Sequence, residues 1–448
     1  MSLSDDFSGF SLIQNAFASS TGVTTDTRTA NEGKLFFALK GDNFDGNRYA
    51  KKALEQGCIG AIVDDPAMAQ ELNGVILVDD VLSALQSLAR WHRRKWKCPV
   101  IGLTGSNGKT TTKELLKAVC KSRFPGVQAT LGNLNNEIGV PLTLLSAGAN
   151  PDFVIVEMGA NAQKEISLLA QIAEPTHGII TNIGRAHLEG FGGVQGVIQG
   201  KRELFDFFLA EGPKTKEGAT VFVNAMHPIL LEISHSLPRA LFGTQKHPPF
   251  VSQVHDDFTM SWTDLTGAEH GPMHCQISGA HNFENMMTAA SVGLYFGVSA
   301  EACSKAIAGY TPDNNRSQWI KTDRNDVLLD AYNANPSSME SALTFFEGIA
   351  KNATDSDAFV AILGDMGELG DYGTAAHKEI LDLAVQKGIK VITVGSLFHE
   401  TAKTHSSVAS FMSTAELTEH LRRSPLKGNK VLLKGSRYIA LEGALNAL

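Results

Sequence analysis

The segment Val100-Ile101-Gly102-Leu103-Thr104-Gly105-Ser106-Asn107-Gly108-Lys109-Thr110-Thr111-Thr112 admits few folds: an apolar strand breaks into a glycine-bearing loop that runs straight into a helix. Gly105 and Gly108 allow the backbone to turn its N–H groups inward, and the helix beginning near Lys109 aims the positive end of its dipole at the same point. Thr110 adds a hydroxyl suited to Mg²⁺. Such a loop cradles phosphate. Its spacing departs from the general pattern G-x-x-x-x-G-K-[ST], whose first glycine would stand where this chain has Leu103, with Gly102 one residue early. The strand before it and the helical Glu114-Leu115-Leu116-Lys117-Ala118-Val119 after it sustain the reading of a nucleoside triphosphate site, with the reaction to be found elsewhere.

At 448 residues the chain exceeds one ordinary core, and about three domains are expected. The net charge of −8 excludes the global electrostatic footprint of a nucleic-acid binder. The one concentrated basic run, Arg93-Arg94-Lys95 beside Trp96, is expected to be a solvated linker face. Five cysteines, at 58, 98, 120, 275 and 303, show neither an even count nor Cys-x-x-Cys spacing, so no disulfide frame and no zinc site is expected. Met1 to Phe17 lacks a basic start followed by an apolar core, and no apolar run approaches the roughly 18 residues of a membrane span. A soluble, cytoplasmic, monomeric protein without a nucleic-acid partner is expected.

The chain reads as α/β throughout. Short apolar runs at Leu35 to Leu39, Ile59 to Val63 and Val75 to Val78 alternate with a helical Tyr49 to Gln56 pattern, a small α/β module followed by a connecting helix from Leu82 to Arg94. The first boundary is placed near Lys97, giving domains at 1–97, 98–311 and 312–448. In the central domain, strand-like runs at Val100 to Leu103, Phe153 to Val156, Gly178 to Thr181 and Thr220 to Val223 alternate with helices, which predicts a parallel, helix-flanked sheet. The stretch Gly243 to Phe258 reads as a polar, proline-bearing loop. The third unit, with strands at Val327 to Leu329, Phe359 to Leu363, Lys390 to Val394 and Lys430 to Leu433, is Rossmann-like but lacks G-x-G-x-x-G.

Ligands on parallel sheets gather beyond the carboxyl ends of the strands. Glu157 emerges there after Phe153-Val154-Ile155-Val156, as a hard carboxylate suited to Mg²⁺. His187 follows the next strand through Asn182-Ile183-Gly184-Arg185-Ala186. Lys201, in Gly200-Lys201-Arg202-Glu203, is read as opening a helix, where a cation is disfavoured unless solvated or chemically modified.

Together with Glu157-Met158-Gly159, His187-Leu188-Glu189, Lys201, Ala280-His281-Asn282 and Arg316, the phosphate loop resembles the Mur ligases, the ATP-dependent amino-acid ligases of peptidoglycan synthesis, in order along nearly the whole chain. Leu329-Asp330-Ala331-Tyr332-Asn333-Ala334-Asn335-Pro336, Leu363-Gly364-Asp365-Met366-Gly367-Glu368-Leu369-Gly370, Leu433-Lys434-Gly435-Ser436-Arg437 and Gly132-Asn133-Leu134-Asn135-Asn136-Glu137 resemble the branch that adds D-alanyl-D-alanine to UDP-N-acetylmuramoyl-tripeptide. Asp26-Thr27-Arg28 with Lys40-Gly41 and Phe44-Asp45-Gly46 resembles its nucleotide-sugar module. Thr27 stands where the family usually has serine, and Asn315 precedes Arg316 where glycine is usual.

The resemblance implies a small UDP-sugar-binding module, a central ATPase domain and a C-terminal domain that closes on it. ATP would phosphorylate a carboxylate, and an amine would attack the acyl phosphate. Gly105, Ser106, Asn107, Gly108, Lys109, Thr110 and Thr111 would hold ATP, with Asn282 on adenine and Arg316 and Asp330 on phosphate and ribose. Mg²⁺ would be held by Thr110, Glu157, His187 and a CO₂-carbamylated Lys201. Thr27, Arg28, Gly41, Asp45, Gly46, Asn133 and Asn136 would meet the UDP-sugar, and Tyr332, Asn333 and Asn335 the dipeptide. A sister ligase adding one amino acid, or a folylpolyglutamate synthase, is the nearest alternative. The absence of Asp-Asn-Pro-Arg in the last domain argues against the diaminopimelate-adding branch. A regulatory P-loop switch would leave Glu157, His187 and Lys201 unexplained.

Overall fold

The computed structural model describes residues 7, 9–29, 31–211, 220–256, 258–312, 316–351 and 359–448. The reading that Asn315 alters the turn before Arg316 lies outside the described residues. No described helix is long and apolar enough to cross a membrane.

The first unit is a four-stranded parallel sheet in the order β1 (Val23–Thr24), β2 (Leu35–Phe37), β3 (Gly60–Val63), β4 (Val75–Leu77). Helix α1 (Val81–Arg93) starts where Asp80 accepts the Ser83 N–H, and its buried stripe of Leu85, Leu88 and Ala89 joins the hydrophobic core. The expectation for the basic run is corrected here. Arg93 is 6% exposed and donates to the carbonyls of Ala173 at 3.0 Å and Glu174 at 2.7 Å, capping a helix of the next unit, while Arg94 pairs with Glu174 at 2.6 Å. A cation at a helix C-terminus satisfies carbonyls that have no intrahelical donor. The run is a clamp between units rather than a solvated face.

The central sheet contains β5 (Val100–Thr104), β6 (Val127–Ala129), β7 (Phe153–Glu157), β8 (His177–Ile180), β9 (Thr220–Asn224) and β10 (Arg239–Phe242), ordered β10-β9-β8-β5-β7-β6 and parallel throughout. Every residue of β5 and β7 is buried, as expected of strands with helices on both faces. Helices α2 (Lys109–Lys121), α3 (Glu165–Ala173) and α4 (Val194–Glu211) flank it. Because β5 lies between β7 and β8, the loops after these three strands meet at one carboxyl edge.

Two expectations fail in this unit. Lys201 does not open a helix but is the eighth residue of α4, which starts after Gly192-Gly193. Gly200, which had suggested a break, instead brings α4 against Phe191: a Cβ there would lie 2.2 Å from the Phe191 ring. Nor is Gly243 to Phe258 only a loop. Phe250–Val254 is a strand, β11, paired antiparallel with β12 (Thr259–Thr263), which pairs in turn with β13 (Glu269–His274). Its apolar side chains are only partly covered, which leaves little hydrophobic alternation to read.

Helix α5 (Ala280–Tyr295) packs against α2. The last unit has β14 (Gln318–Lys321), β15 (Asp326–Asp330), β16 (Phe359–Gly364), β17 (Lys390–Val394), β18 (Ala409–Phe411) and β19 (Lys430–Lys434), ordered β14-β15-β19-β16-β17-β18. Only β14 runs antiparallel. Helices α6 (Pro336–Lys351) and α7 (Gly373–Gln386) cover it, and its carboxyl-edge loops face those of the central sheet.

Candidate active site

The phosphate loop depends on two glycines. Gly105 has φ +145°, and a Cβ there would sit 1.9 Å from Thr181 Oγ1; Gly108 has φ +77°, and its Cβ would meet Asn285 Oδ1 at 2.5 Å. Two loop donors are already used: Ser106 N–H donates to the Asn182 carbonyl and Asn107 N–H to Asn182 Oδ1, both at 3.0 Å. An anion is therefore left to the first turn of α2, whose N–H groups have no side-chain cap. Lys109 Nζ donates to the Gly105 carbonyl at 2.7 Å, and burial lowers its pKa.

Glu157 is 1% exposed. Its Oε1 accepts from Asn135 Nδ2 at 2.9 Å and from the Thr110 hydroxyl at 3.3 Å, while Oε2 is buried without a hydrogen-bond partner. The nearest cation to Oε2 is Lys113 Nζ at 3.6 Å. Lys113, one turn beyond Lys109, is fully buried and donates to the carbonyls of Thr130 and Gly132. Among the described residues no group of three or more His, Cys, Asp or Glu is placed to hold a metal. Mg²⁺, however, takes one or two carboxylates and fills its sphere with water and substrate phosphate, so an orphaned Glu157 oxygen beside the Thr110 hydroxyl fits it.

His187 sits at φ +53°, its Nδ1 2.6 Å from Glu368 Oε2 of the last unit. That contact with His187 holds the Glu368 carboxyl below the usual range. Lys201 is fully buried behind this wall, its Nζ 3.3 Å from the Ala160 carbonyl. Burial, and then the charge of Lys109, drive its pKa well below that of an ordinary lysine.

A cavity of about 740 Å³ gathers most of the candidates: Ser106 to Thr111, Asn133, Asn136, Glu157, His187 and Asn282 from the central unit, with Arg316, Asp330, Tyr332, Asn333 and Asn335 from the last. Gly105 and Lys201 lie behind its lining. The Arg316 guanidinium stacks 3.8 Å from the Tyr332 ring, and its Nε is buried without a hydrogen-bond partner. Asp330 Oδ2 lies 2.5 Å from Lys434 Nζ; although burial opposes it, this cation keeps the Asp330 carboxyl below its usual range.

Several predicted contact residues also have structural duties. Asn282 Nδ2 donates to the Ser278 carbonyl, Asn333 Oδ1 accepts the Ala334 N–H, and Asn136 Oδ1 accepts the Gly139 N–H. Asn335 caps α6 by accepting the Ser338 N–H, and its Nδ2 reaches across to Asn107 Oδ1 at 2.8 Å.

Thr27, Arg28, Gly41, Asp45 and Gly46 are not part of this cavity. They lie in the loops after β1 and β2, a second carboxyl edge, where Arg28 pairs with Asp26 and Asp45 accepts the Asn47 N–H. Sequence reasoning missed roles for Lys113, Asn135, Glu368 and Lys434. Glu368 had a usable signal, since it follows β16 at a carboxyl edge as Glu157 follows β7.

Three family models match the chain: the Mur ligase family catalytic domain over residues 19–93, the Mur ligase middle domain over 103–293, and the Mur ligase glutamate ligase domain over 315–437. A Bacillus subtilis (strain 168) protein named UDP-N-acetylmuramoyl-tripeptide–D-alanyl-D-alanine ligase is 35% identical over 437 residues, covering 94% of this chain and 91% of its own. The crystal structure of MurF from Acinetobacter baumannii superposes with a TM-score of 0.83 at 27% identity, covering 97% of each chain. MurF from Thermotoga maritima, solved with ADP, shares the fold at a TM-score of 0.81 and 22% identity, covering 96% of this chain and 97% of its own. With a phosphate loop, a buried acid and a second domain closing over both, the chain belongs to the Mur ligase family.

Proposed function

We propose that this chain catalyses the ATP-dependent ligation of D-alanyl-D-alanine to UDP-N-acetylmuramoyl-tripeptide in the cytoplasm, giving UDP-N-acetylmuramoyl-pentapeptide, ADP and phosphate. The observation that carries the reading is the single cavity joining the phosphate loop and Glu157 to Tyr332, Asn333 and Asn335 on the opposing unit. The B. subtilis relative's name supports the substrate pair.

In this reaction a carboxylate oxygen of the tripeptide attacks the γ-phosphorus of ATP, and ADP leaves. The amine of the dipeptide then attacks the carbonyl carbon of the acyl phosphate, loses a proton, and expels phosphate. Two anions must first approach, so positioned positive charge is the main requirement. Lys109 and the N–H groups opening α2 hold the β- and γ-phosphates, and Arg316 reaches them from the last unit. Thr110, Glu157 and His187 would hold Mg²⁺, which supplies charge neutralisation when bound. Closure of the cavity excludes water from the acyl phosphate.

Lys201 enters this scheme through its burial rather than through a helix terminus. Only an unprotonated amine adds CO₂ to form a carbamate, releasing one proton, and the lowered Lys201 pKa supports that state. The UDP-sugar rests on the edge formed by Thr27, Arg28, Gly41, Asp45 and Gly46, with Asn133 and Asn136 reaching it from the central unit.

The test is phosphate release from ATP with the UDP-tripeptide, with and without D-alanyl-D-alanine, and pentapeptide detected by mass. Release that requires both supports the proposal, and equal release with a single D-amino acid rejects it.

A further inference from the structure

Among the described residues six non-glycine positions have a left-handed backbone, and two of them, His187 at φ +53° and Glu368 at φ +59°, touch each other across the interface between the central and last units. Such a conformation costs about 1 to 3 kcal/mol and persists only where the surroundings enforce it. The loop carrying Glu368 is held at several points. Met366 N–H donates to His377 Nε2 at 2.9 Å, Gly367 N–H to Ser436 Oγ at 2.8 Å, and Asp365 accepts the N–H groups of Leu397 and Phe398. The Glu368 carbonyl in turn accepts the Glu189 N–H, two residues beyond His187.

At 2.6 Å a carboxylate oxygen and a ring nitrogen coexist only with a proton between them, since two lone pairs would repel. The approach is off the N–H axis, as catalytic hydrogen bonds commonly are before substrate binds. Glu368 is not needed to dock the two units. Arg185 Nη1 pairs with Glu379 at 2.7 Å, Arg185 N–H donates to Ser337 Oγ at 2.8 Å, and Asn335 bonds Asn107.

We infer that Glu368 is a positioning residue delivered by the last unit on closure: it accepts the Nδ1 proton of His187 and leaves Nε2 as the free lone pair for the cavity. The inference rests on the ligase reading above. It makes the orientation of the imidazole, as well as the exclusion of water, conditional on closure.

The experiment compares wild type, Glu368→Ala and Glu368→Gln in pentapeptide formation. Compaction is measured in parallel by small-angle scattering with a non-hydrolysable ATP analogue and the UDP-tripeptide. Glu368→Ala should lower kcat about tenfold or more, leave each KM within about threefold, and compact as wild type does. Glu368→Gln, whose carbonyl still accepts from Nδ1–H, should recover to within about threefold of wild type. An unchanged kcat in Glu368→Ala, a Glu368→Gln no better than Glu368→Ala, or a Glu368→Ala that fails to compact would each overturn the inference. A wild type that forms no pentapeptide would instead sink the ligase reading on which it stands.

Discussion

Lys113 carries a fully buried ammonium that donates to the carbonyls of Thr130 at 2.7 Å and Gly132 at 3.2 Å, with Glu114 Oε1 at 3.0 Å and Glu157 Oε2 at 3.6 Å. Lys113→Met keeps most of the stem and removes the charge. Two carbonyls lose a donor, at about 1 to 3 kcal/mol each, and breaking a buried ion pair from one side costs about 3 to 5 kcal/mol. These costs overlap, because one ammonium makes every contact. A neutral thioether also escapes the ammonium's desolvation penalty, itself several kcal/mol. The expected net loss is about 2 to 4 kcal/mol, confined to the central unit.

At about 2 to 4 °C per kcal/mol for a domain of roughly 200 residues, the central transition in a calorimetric scan should fall by about 5 to 15 °C. The carbonyls released belong to the strand that leads into Asn133, Asn135 and Asn136, so the KM for the UDP-tripeptide should rise more than the KM for ATP. A midpoint within about 2 °C of wild type, with both KM values unchanged, would refute the view that this lysine organises the loop.

Three further outcomes are expected. Arg316→Ala should lower kcat far more than ATP affinity, because its guanidinium reaches the site from the opposing unit; isothermal titration showing a loss confined to nucleotide binding would contradict closure. Gly105→Ala should weaken ATP binding about tenfold or more, since the new Cβ would collide with Thr181 and the left-handed backbone would be strained; equilibrium dialysis with labelled ATP measures it. His177 lies among Phe222, Tyr295 and Phe296, and burial lowers its pKa from 6.5 to about 4, so the unfolded chain binds the extra proton between those values. Stability should therefore fall as pH drops from 6.5 towards 4, by up to about 3 kcal/mol, and urea titrations of His177→Phe should show a flatter acid limb.

The phosphate loop, Glu157 and His187 were legible because each follows a buried strand, and a parallel sheet sends everything after its strands to one edge. Lys201 was found for the wrong local reason. Gly200 looked like a helix break because sequence shows the missing side chain but not Phe191, the neighbour that needs the space. Arg93 was misread in the same way, since a cation that caps a distant helix carries no local mark of its partner. The strand at Phe250–Val254 was hidden because a half-covered strand needs little alternation of apolar residues.

Chain order, the α/β class and the family follow from local patterns, where strand, glycine turn and helix are neighbours along the backbone. The charge pairing within the site does not. Glu368 meets His187, Lys113 faces Glu157 and Asn335 reaches Asn107 across 181, 44 and 228 residues of chain. Such contacts form only when separate sheets turn their carboxyl edges towards one cavity, where burial makes each unpaired charge costly enough to require its partner.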